Sequence, residues 1–341
     1  MNRIIVVSVT SICTLLFFAC TQKHFEHDLV EDNTPWSYEP KNKPGDQFSF
    51  AMIGDLNSGE RAGVVEVAVE QINLLRPDFI LSIGDLVEGG TEDTIQLKKE
   101  YDHFDERMSK AKAPIFHLGG NHDLTNPVMR KYWEKRYGKR YYHFVFKNVL
   151  FLVLDTEDYP EERMWKIYKA RKRSLELLDS GKLEMAQLTE YFRMPERATG
   201  EISDAQSSYF EKVIADHPTV RWTFVLMHKP VWQRTGKGGL ERIEGALGSR
   251  KFTVLNGHQH KYSYTERNQH DYIMMATTGG GQDAKSDRAF DHIMLATIAE
   301  GEPAIANLRL DGILNKQGRI PLDVEKVCFQ ASRCSDTTKV H

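Results

Sequence analysis

The sequence predicts an α/β fold with mixed β-sheets, and two observations indicate this class. In the first half of the chain, three short apolar runs alternate with segments of helical periodicity, and polar residues follow each run. This alternation is typical of a sheet with mostly parallel strands. Two further apolar runs, at 141–146 and 149–155, flank Lys147-Asn148 and predict a hairpin, which adds antiparallel strands.

The same patterns place the individual elements along the chain. Strands are expected near residues 48–53, 78–83, 114–118, 222–227, 252–255, 272–277, 291–298 and 304–310. Helices are expected near residues 64–75, 92–110 and 203–215. Residues 157–200 interrupt the alternation because they are highly charged, and we expect two inserted helices there.

The amino terminus differs in kind from the rest of the chain. Residues 4–19 are nearly all apolar or small and follow a positively charged start, which is typical of a signal peptide. They end in the sequence FFAC at Cys20, which resembles the lipobox of bacterial lipoproteins, although Phe17 stands where leucine is usual. We expect removal of residues 1–19 and lipidation of Cys20. An ordinary secreted protein and a retained membrane anchor are the alternatives.

The remaining chain divides into a linker, one domain and a tail. Residues 20–46 are polar and contain three prolines, so we expect a lipid-attached tether. Residues 47–312 contain the predicted strands and form one domain, and residues 313–341 form a C-terminal tail. Cys328 and Cys334 in this tail either close a small disulfide loop or remain free thiols.

The composition narrows the range of partners. The chain has 341 residues, of which 40% are hydrophobic, so it can bury a substantial core. The formal net charge of −3 gives no strong signal for a nucleic-acid partner. The cysteines do not have the CxxC spacing of a zinc site. The oligomeric state is left open.

Polar side chains with the potential to bind metal follow five of the predicted strands. They are Asp55, Asn57, Asp85, Asn121, His122, His228, His258 and His260. The carboxyl ends of strands are where open α/β folds place their sites. Residues two apart at a strand end can point the same way, so His258 and His260 can converge on one site. Carboxylate, amide and imidazole ligands together favour Mn, Fe, Zn, Co or Mg over a metal held by thiolates.

In order and spacing, these groups resemble the motifs of the calcineurin-like metallophosphoesterase family. The matching motifs are GDLN, GDLVEGG, GNHD, MHKP and NGHQH. The resemblance covers roughly residues 48–311 and implies a four-layer αββα sandwich with a two-metal site at the strand ends. It also implies hydrolysis of a phosphate mono- or diester by hydroxide that the two metals activate.

The resemblance assigns a role to each candidate residue. The first metal would take Asp55, Asn57, Asp85 and His260, and the second would take Asp85, Asn121, His228 and His258. His122, in its protonated form, is expected to act as the general acid or to contact the phosphate, with Asp123 orienting it. The two divalent metals are expected to be Mn, Fe, Zn or Co.

Two positions depart from the family pattern. Asn57 stands where the family usually has histidine, and amide oxygen suits Mn²⁺ better than Zn²⁺. We therefore expect a weaker first site that favours Mn²⁺, unless a water replaces Asn57. Glu88 stands where purple acid phosphatases have tyrosine, so an iron–tyrosinate centre is not supported.

The charged insertion at 157–200 bears on the choice of substrate. It leaves the sheet just after Asp155, at the ligand-bearing edge, so we expect it to cap the site and select substrates. Its basic run at 165–173 is a solvated helix face or a contact to phosphate or membrane headgroups.

The favoured function is a metal-dependent phosphohydrolase in the cell envelope, anchored to a membrane through lipidated Cys20. It would be periplasmic or surface-exposed, and secreted if Cys20 carries no lipid. The alternative is a surface-anchored binding protein that has the same fold and a weakened metal site, since a fold does not by itself establish a function.

Overall fold

The computed structural model describes residues 24–31, 33–234, 239–323 and 327–334. The strands in these ranges are Phe25–Glu26 (β1), Phe48–Ile53 (β2), Phe79–Ser82 (β3), Ile115–Phe116 (β4), Tyr142–Phe146 (β5), Val149–Val153 (β6), Trp222–Leu226 (β7), Phe252–Asn256 (β8), Ser263–Arg267 (β9), His270–Met274 (β10), His292–Ile298 (β11) and Ala304–Arg309 (β12). The helices are Val64–Leu75 (α1), Thr94–Met108 (α2), Pro127–Tyr137 (α3), Glu161–Asp179 (α4), Leu183–Gln187 (α5), Glu190–Arg193 (α6), Glu196–Thr199 (α7), Asp204–Asp216 (α8) and Leu240–Leu247 (α9).

Two β-sheets lie face to face, and helices cover both outer faces. One sheet has the strand order β1-β5-β6-β7-β8-β10-β9, and the other has the order β12-β11-β2-β3-β4. Along β2, Phe50 and Met52 join the core between the sheets, whereas Ala51 packs beneath the helices. This alternation is the period-2 pattern of a strand with two buried faces. The predicted four-layer αββα sandwich with mixed sheets is confirmed.

Aromatic rings fill the space between the two sheets. Phe50 of β2 lies 5.3 Å from Phe151 of β6 and 5.0 Å from Phe224 of β7, edge to face in both pairs. Phe79 of β3 lies 5.4 Å from Phe151 with the same geometry. Such pairs add about 0.5–1.5 kcal/mol each beyond the burial of apolar area. They hold the sheets against each other and thereby position the loops at the sheet edges.

The loops that carry the candidate ligands meet at one edge of the sandwich. Strands β2, β3 and β4 are parallel neighbours in one sheet, as are β6, β7 and β8 in the other. The N–H of Asp55 donates to the carbonyl of Gly84 at 3.0 Å, which joins the loops after β2 and β3. The N–H of His258 donates to the Asp55 carboxylate at 3.0 Å, which joins the two sheets.

Sequence patterns missed helices α3 and α9 and strand β9. In α3 the buried residues Met129, Trp133 and Tyr137 recur every four residues, but charged side chains surround them. Strand β9 is mostly exposed and therefore lacks the alternation of a half-buried strand. Both elements form at the surface, where the apolar pattern is weakest.

The insertion contains four helices, α4 to α7, and not the two predicted. Gly181, whose φ of 73° suits glycine, lies in the turn that follows α4. Pro195 stands between α6 and α7 and lacks the N–H that would continue a helical hydrogen-bond ladder. Because the segment is highly charged throughout, its sequence pattern did not indicate where one helix ends and the next begins.

The prediction of a tether over residues 20–46 is wrong for the part that the structure describes. Strand β1 pairs antiparallel with β5. Trp36 is only 5% exposed, and its ring centroid lies 5.4 Å from that of Phe25 and 5.3 Å from that of Phe116. Two large aromatic side chains thus give a mostly polar segment enough apolar surface to pack on the domain.

The described part of the C-terminal segment also packs on the domain, so residues 313–341 do not begin as a separate tail. Phe329 is buried in the core next to α1. Cys328 and Cys334 form a disulfide with their Cα atoms 6.2 Å apart, which is the first of the two predicted alternatives. The predicted signal peptide and Cys20 lie outside the described residues. Among the residues that are described, no helix combines the length and apolar character needed to cross a membrane.

We predict that Trp36→Ala lowers the free energy of unfolding by about 3–5 kcal/mol, as is usual when a buried tryptophan is truncated. Chemical denaturation of the purified protein measures this change. Val30→Ala is the control, because Val30 lies in the same segment but is 96% exposed. Equal stability of Trp36→Ala and wild type would mean that the segment is a loosely attached linker.

Candidate metal centre

Carboxylate and imidazole groups from four loops converge in two overlapping clusters. Asp85, His228 and His258 present ligand atoms that all lie within 4.8 Å of one another, and Asp55, Asp85 and His260 do the same. Asp85 belongs to both clusters. The residues come from both sheets, as expected from the meeting of the strand ends. Both clusters could hold a metal ion, and all five residues belong to the predicted ligand set.

In each of the three histidines, one ring nitrogen lies within hydrogen-bond distance of a backbone carbonyl oxygen. The distances are 2.9 Å for His228 Nδ1, 2.8 Å for His258 Nε2 and 2.6 Å for His260 Nδ1. A neutral imidazole donates through that nitrogen and keeps a lone pair on the other. His228 Nε2 lies 3.2 Å from an Asp85 oxygen, and His260 Nε2 lies 3.4 Å from an Asp55 oxygen. Carbonyls that orient histidines in this way are typical of metal sites.

The carboxylates favour the protonated, positively charged forms of His228 and His260. Burial alone would lower the pKa of His228, but Asp85 raises this pKa to about 9. In the same way, Asp55 outweighs burial and raises the pKa of His260 to about 9. Burial would raise the pKa of Asp85, yet His228 holds that pKa well below its usual value. Because histidine must lose its proton to bind a metal, metal binding here is coupled to proton release.

The two candidate asparagine ligands have different surroundings. Asn121 is 8% exposed, and within the described ranges its buried Oδ1 has no hydrogen-bond partner. Such an oxygen is costly unless a cation or a donor satisfies it, so Asn121 fits a metal ligand. Asn57 is buried, its Nδ2 donates to the Val87 carbonyl at 2.7 Å, and its Oδ1 accepts from Ser58 Oγ at 3.3 Å. Ligation by Asn57 stays a prediction.

Four of the candidate ligands have backbone φ angles in the left-handed region. The values are 52° for Asp55, 58° for Asp85, 81° for His258 and 52° for His260. Residues other than glycine rarely adopt this conformation, which costs about 1–3 kcal/mol at each position. Such residues cluster at functional sites, where the surrounding structure holds them.

Two glycines are needed where the backbone passes directly behind the carboxylates of Asp85 and Asp55. A Cβ atom on Gly120 would lie 2.2 Å from Asp85 Oδ1, and a Cβ atom on Gly257 would lie 2.3 Å from Asp55 Oδ2. Any larger residue would displace these side chains. The glycines of the GNHD and NGHQH motifs therefore allow close packing behind the ligands.

The prediction that Asp123 orients His122 is wrong. The Asp123 carboxylate accepts hydrogen bonds from the backbone N–H groups of Gly120 and Asp85, both at 2.8 Å, and of Leu86 at 3.2 Å. Asp123 therefore ties the loop after β4 to the loop after β3. A carboxylate next to a histidine in sequence suggested a pair, but the loop turns the two side chains to different partners.

His122 is held differently from the protonated general acid that we expected. Its Nδ1 lies 2.7 Å from the Glu88 carbonyl oxygen, and its Nε2 accepts from Arg171 Nη2 at 3.0 Å. Burial lowers the pKa of His122 to about 4. The hydrogen bond from Arg171 and this lowered pKa both favour a neutral imidazole whose Nε2 lone pair accepts. The two roles expected of His122, general acid and phosphate contact, both stay predictions.

The insertion lies over the clusters, at the edge where it was expected. A cavity of about 770 Å³ is lined by ligand candidates and by insertion residues from α4 to α7. The insertion residues are Arg171, Ser174, Leu175, Leu178, Tyr191, Phe192, Arg197 and Ala198. In addition, the Arg197 carbonyl is the oxygen that lies 2.8 Å from His258 Nε2. The insertion thus contacts the ligands themselves.

Sequence reasoning missed Arg171, which lies within the basic run at 165–173. The residues of this run predict one charged helix face. In the structure, however, Arg171 is buried while Lys172 and Arg173 are exposed. Helical spacing carried the signal, because Arg171 shares a buried face with Ile167 and Ser174. Of the two alternatives for this run, the solvated face holds for Lys172 and Arg173 and fails for Arg171, for which the contact to phosphate stays a prediction.

Comparison with known proteins agrees with this geometry. The sequence profile described as calcineurin-like phosphoesterase matches residues 48–262, which is more than half of the chain. No curated protein matches the sequence at a significant level.

Among solved structures, a dimetal phosphatase from Danio rerio has a TM-score of 0.53 and 14% identity, covering 77% of this chain and 96% of its own. A purple acid phosphatase from yellow lupin (Lupinus luteus) seeds has a TM-score of 0.50 and 11% identity, covering 80% of this chain and 52% of its own. At these identities the likeness shows a shared fold. By its match to the family profile, the chain belongs to the calcineurin-like phosphoesterase family and is a metal-dependent hydrolase of phosphoric ester bonds.

Proposed function

We propose that the protein is an extracytoplasmic phosphohydrolase that uses two divalent metal ions to cleave a phosphate ester. The convergence of both ligand clusters on the shared residue Asp85 carries this proposal. The extracytoplasmic location rests on the signal-like residues 1–19 and on the lipobox-like sequence at Cys20.

The ligands divide between the two metals as the motifs suggest. Asp55, Asn57, Asp85 and His260 would hold the first metal, and Asp85, Asn121, His228 and His258 would hold the second. With two divalent cations bound there, the centre would supply an activated water for attack on phosphorus and would offset the charge of the phosphoryl oxygens.

The protein groups position this centre and exclude alternative arrangements. The backbone carbonyls select the tautomers of His228, His258 and His260 that leave one nitrogen of each ring for a metal. Asp55 also accepts the N–H of His258, so the loops from the two sheets cannot separate without losing this bond. Insertion residues line the cavity, and we expect them to limit the size of the substrates that enter it.

The function is tested by removing metal with a chelator and adding back Mn²⁺, Zn²⁺, Fe²⁺ or Co²⁺ while hydrolysis of mono- and diesters is followed. We expect turnover that returns only with added metal. A protein that binds metal and phosphate without turnover would instead be the surface-anchored binding protein.

We predict that Asp85→Asn loses bound metal from both sites and lowers kcat/KM by roughly 10³-fold or more, because several kcal/mol of charge stabilisation depend on it. Metal content by mass spectrometry and ester hydrolysis measure the two effects. Asp179→Asn, at an exposed position, is the matched control. Two retained metals with full turnover in Asp85→Asn would refute the shared-ligand assignment.

We predict that Asn57→His raises the affinity of the first site for Zn²⁺ and reduces the excess of metal needed for activity. Imidazole binds the later first-row metals more strongly than an amide oxygen does, whereas Mn²⁺ accepts oxygen readily. Titration of activity against Mn²⁺ and Zn²⁺ in both proteins measures the change. Identical curves would show that position 57 does not contact the metal.

We predict that Cys20→Ala releases the protein from the membrane fraction or blocks its processing, because Cys20 is the proposed site of lipid attachment. Membrane fractionation and intact-mass measurement compare the variant with wild type. Cys13→Ala, within the signal region, should leave both readouts unchanged. If Cys20→Ala also leaves them unchanged, Cys20 carries no lipid.

A further inference from the structure

Arg171 is a buried cation whose hydrogen bond goes to a neutral ring. The side chain is 8% exposed, and its Nη2 donates to His122 Nε2 at 3.0 Å. In the described ranges no carboxylate forms an ion pair with it. By contrast, the buried Arg107 pairs with Glu60, and the partly buried Arg140 pairs with Asp155.

This arrangement points to an anion that binds from outside. Taking a guanidinium out of water costs several kcal/mol unless an opposite charge compensates for it. Proteins therefore pair buried charges, and the neutral His122 ring satisfies only one of the five N–H donors of arginine. Arg171 lines the same cavity as Asp85, Asn121 and His258.

The surrounding backbone leaves room for the guanidinium at this position. A Cβ atom on Gly90 would lie 2.5 Å from Arg171 Nη1, so glycine lets the loop after β3 pass close to it. On the other side, His122 accepts from Nη2 and is itself held by the Glu88 carbonyl. Arg171 is thus held between two loops that carry metal ligands.

We propose that Arg171 binds the terminal oxygens of a phosphate monoester dianion and that the site therefore prefers monoesters to diesters. This inference rests on the proposed function. A monoester at neutral pH carries close to two negative charges and three terminal oxygens. A planar guanidinium can bind two of these oxygens at once. A diester carries one charge, has two terminal oxygens, and would place an ester substituent where a monoester has an oxygen for Arg171.

The first test compares 4-nitrophenyl phosphate with bis(4-nitrophenyl) phosphate, which share a leaving group. The full chain, purified in mild detergent and loaded with metal, is compared with Arg171→Met. We expect kcat/KM for the monoester to fall roughly 10- to 100-fold, which is the range for a lost charge-assisted hydrogen bond. The diester should change about threefold or less, so the ratio of the two values measures selectivity.

Two further variants separate substrate binding from folding. Arg173→Met removes the same charge from the same helix at a position that is 70% exposed, and it should behave like wild type. Arg171→Lys keeps the charge and should recover part of the monoester activity. Metal content and the thermal midpoint should match wild type in all three variants. Equal losses on both esters in Arg171→Met would overturn the inference and leave a purely structural role.

The second test measures binding without turnover. Titration calorimetry compares inorganic phosphate with diethyl phosphate on the metal-loaded protein. Arg171→Met should weaken phosphate binding at least tenfold and change diethyl phosphate binding little. If wild type hydrolyses neither ester but shows this pattern, the anion site holds and the proposed function fails. If wild type hydrolyses esters and Arg171→Met binds phosphate normally, the function holds and the inference fails.

Discussion

The metal centre depends on one buried carboxylate that touches no proposed metal. Asp123 is fully buried and accepts backbone N–H groups from Gly120, Asp85 and Leu86. Burial of a carboxylate is unfavourable unless such donors satisfy it. Folding therefore favours the loop arrangement that brings these N–H groups to Asp123. Asp85 has a positive φ, and two hydrogen bonds hold it in this conformation. Its backbone N–H donates to the Asp123 carboxylate, and its own carboxylate accepts the N–H of His122 at 2.8 Å.

The two parts of the molecule contribute different kinds of group to the site. The strand-end loops supply carboxylate, amide and imidazole ligands whose geometry follows from the sandwich. The insertion supplies the guanidinium of Arg171 and the backbone carbonyl of Arg197. The oxygen of this carbonyl lies 2.8 Å from His258 Nε2. The loops can therefore keep their arrangement while the insertion changes what the cavity accepts, which agrees with the general observation that sites vary on constant folds.

Local sequence patterns predict the α/β class with mixed sheets and most of the candidate ligands, whereas the four-layer sandwich follows from the family resemblance. An apolar run followed by glycine and a polar ligand spans only about ten residues, so Asp55, Asp85 and His260 can be predicted from the sequence alone. The partners of Asp123 and Arg171 could not be read in this way. Arg171 lies 49 residues from His122 in sequence, and only the packing of α4 brings them together.

Predictions from the average composition of a segment also fail where a few large side chains determine its packing. The segment that ends at residue 46 is polar on average, yet Phe25 and Trp36 are buried among the rings between the sheets. Composition measures the mean of a segment, whereas burial depends on whether single large residues find apolar neighbours.

The docked N-terminal segment has a consequence for how the enzyme is presented to its surroundings. Three residues separate Cys20 from His24, where the described chain begins. The four steps between their Cα atoms span at most about 3.6 Å each in an extended chain, or roughly 14 Å in all. A lipid on Cys20 would therefore keep the β1 side of the sandwich close to the headgroups. The distance between the cavity and the bilayer would then be limited by the fold itself and not by the length of a tether.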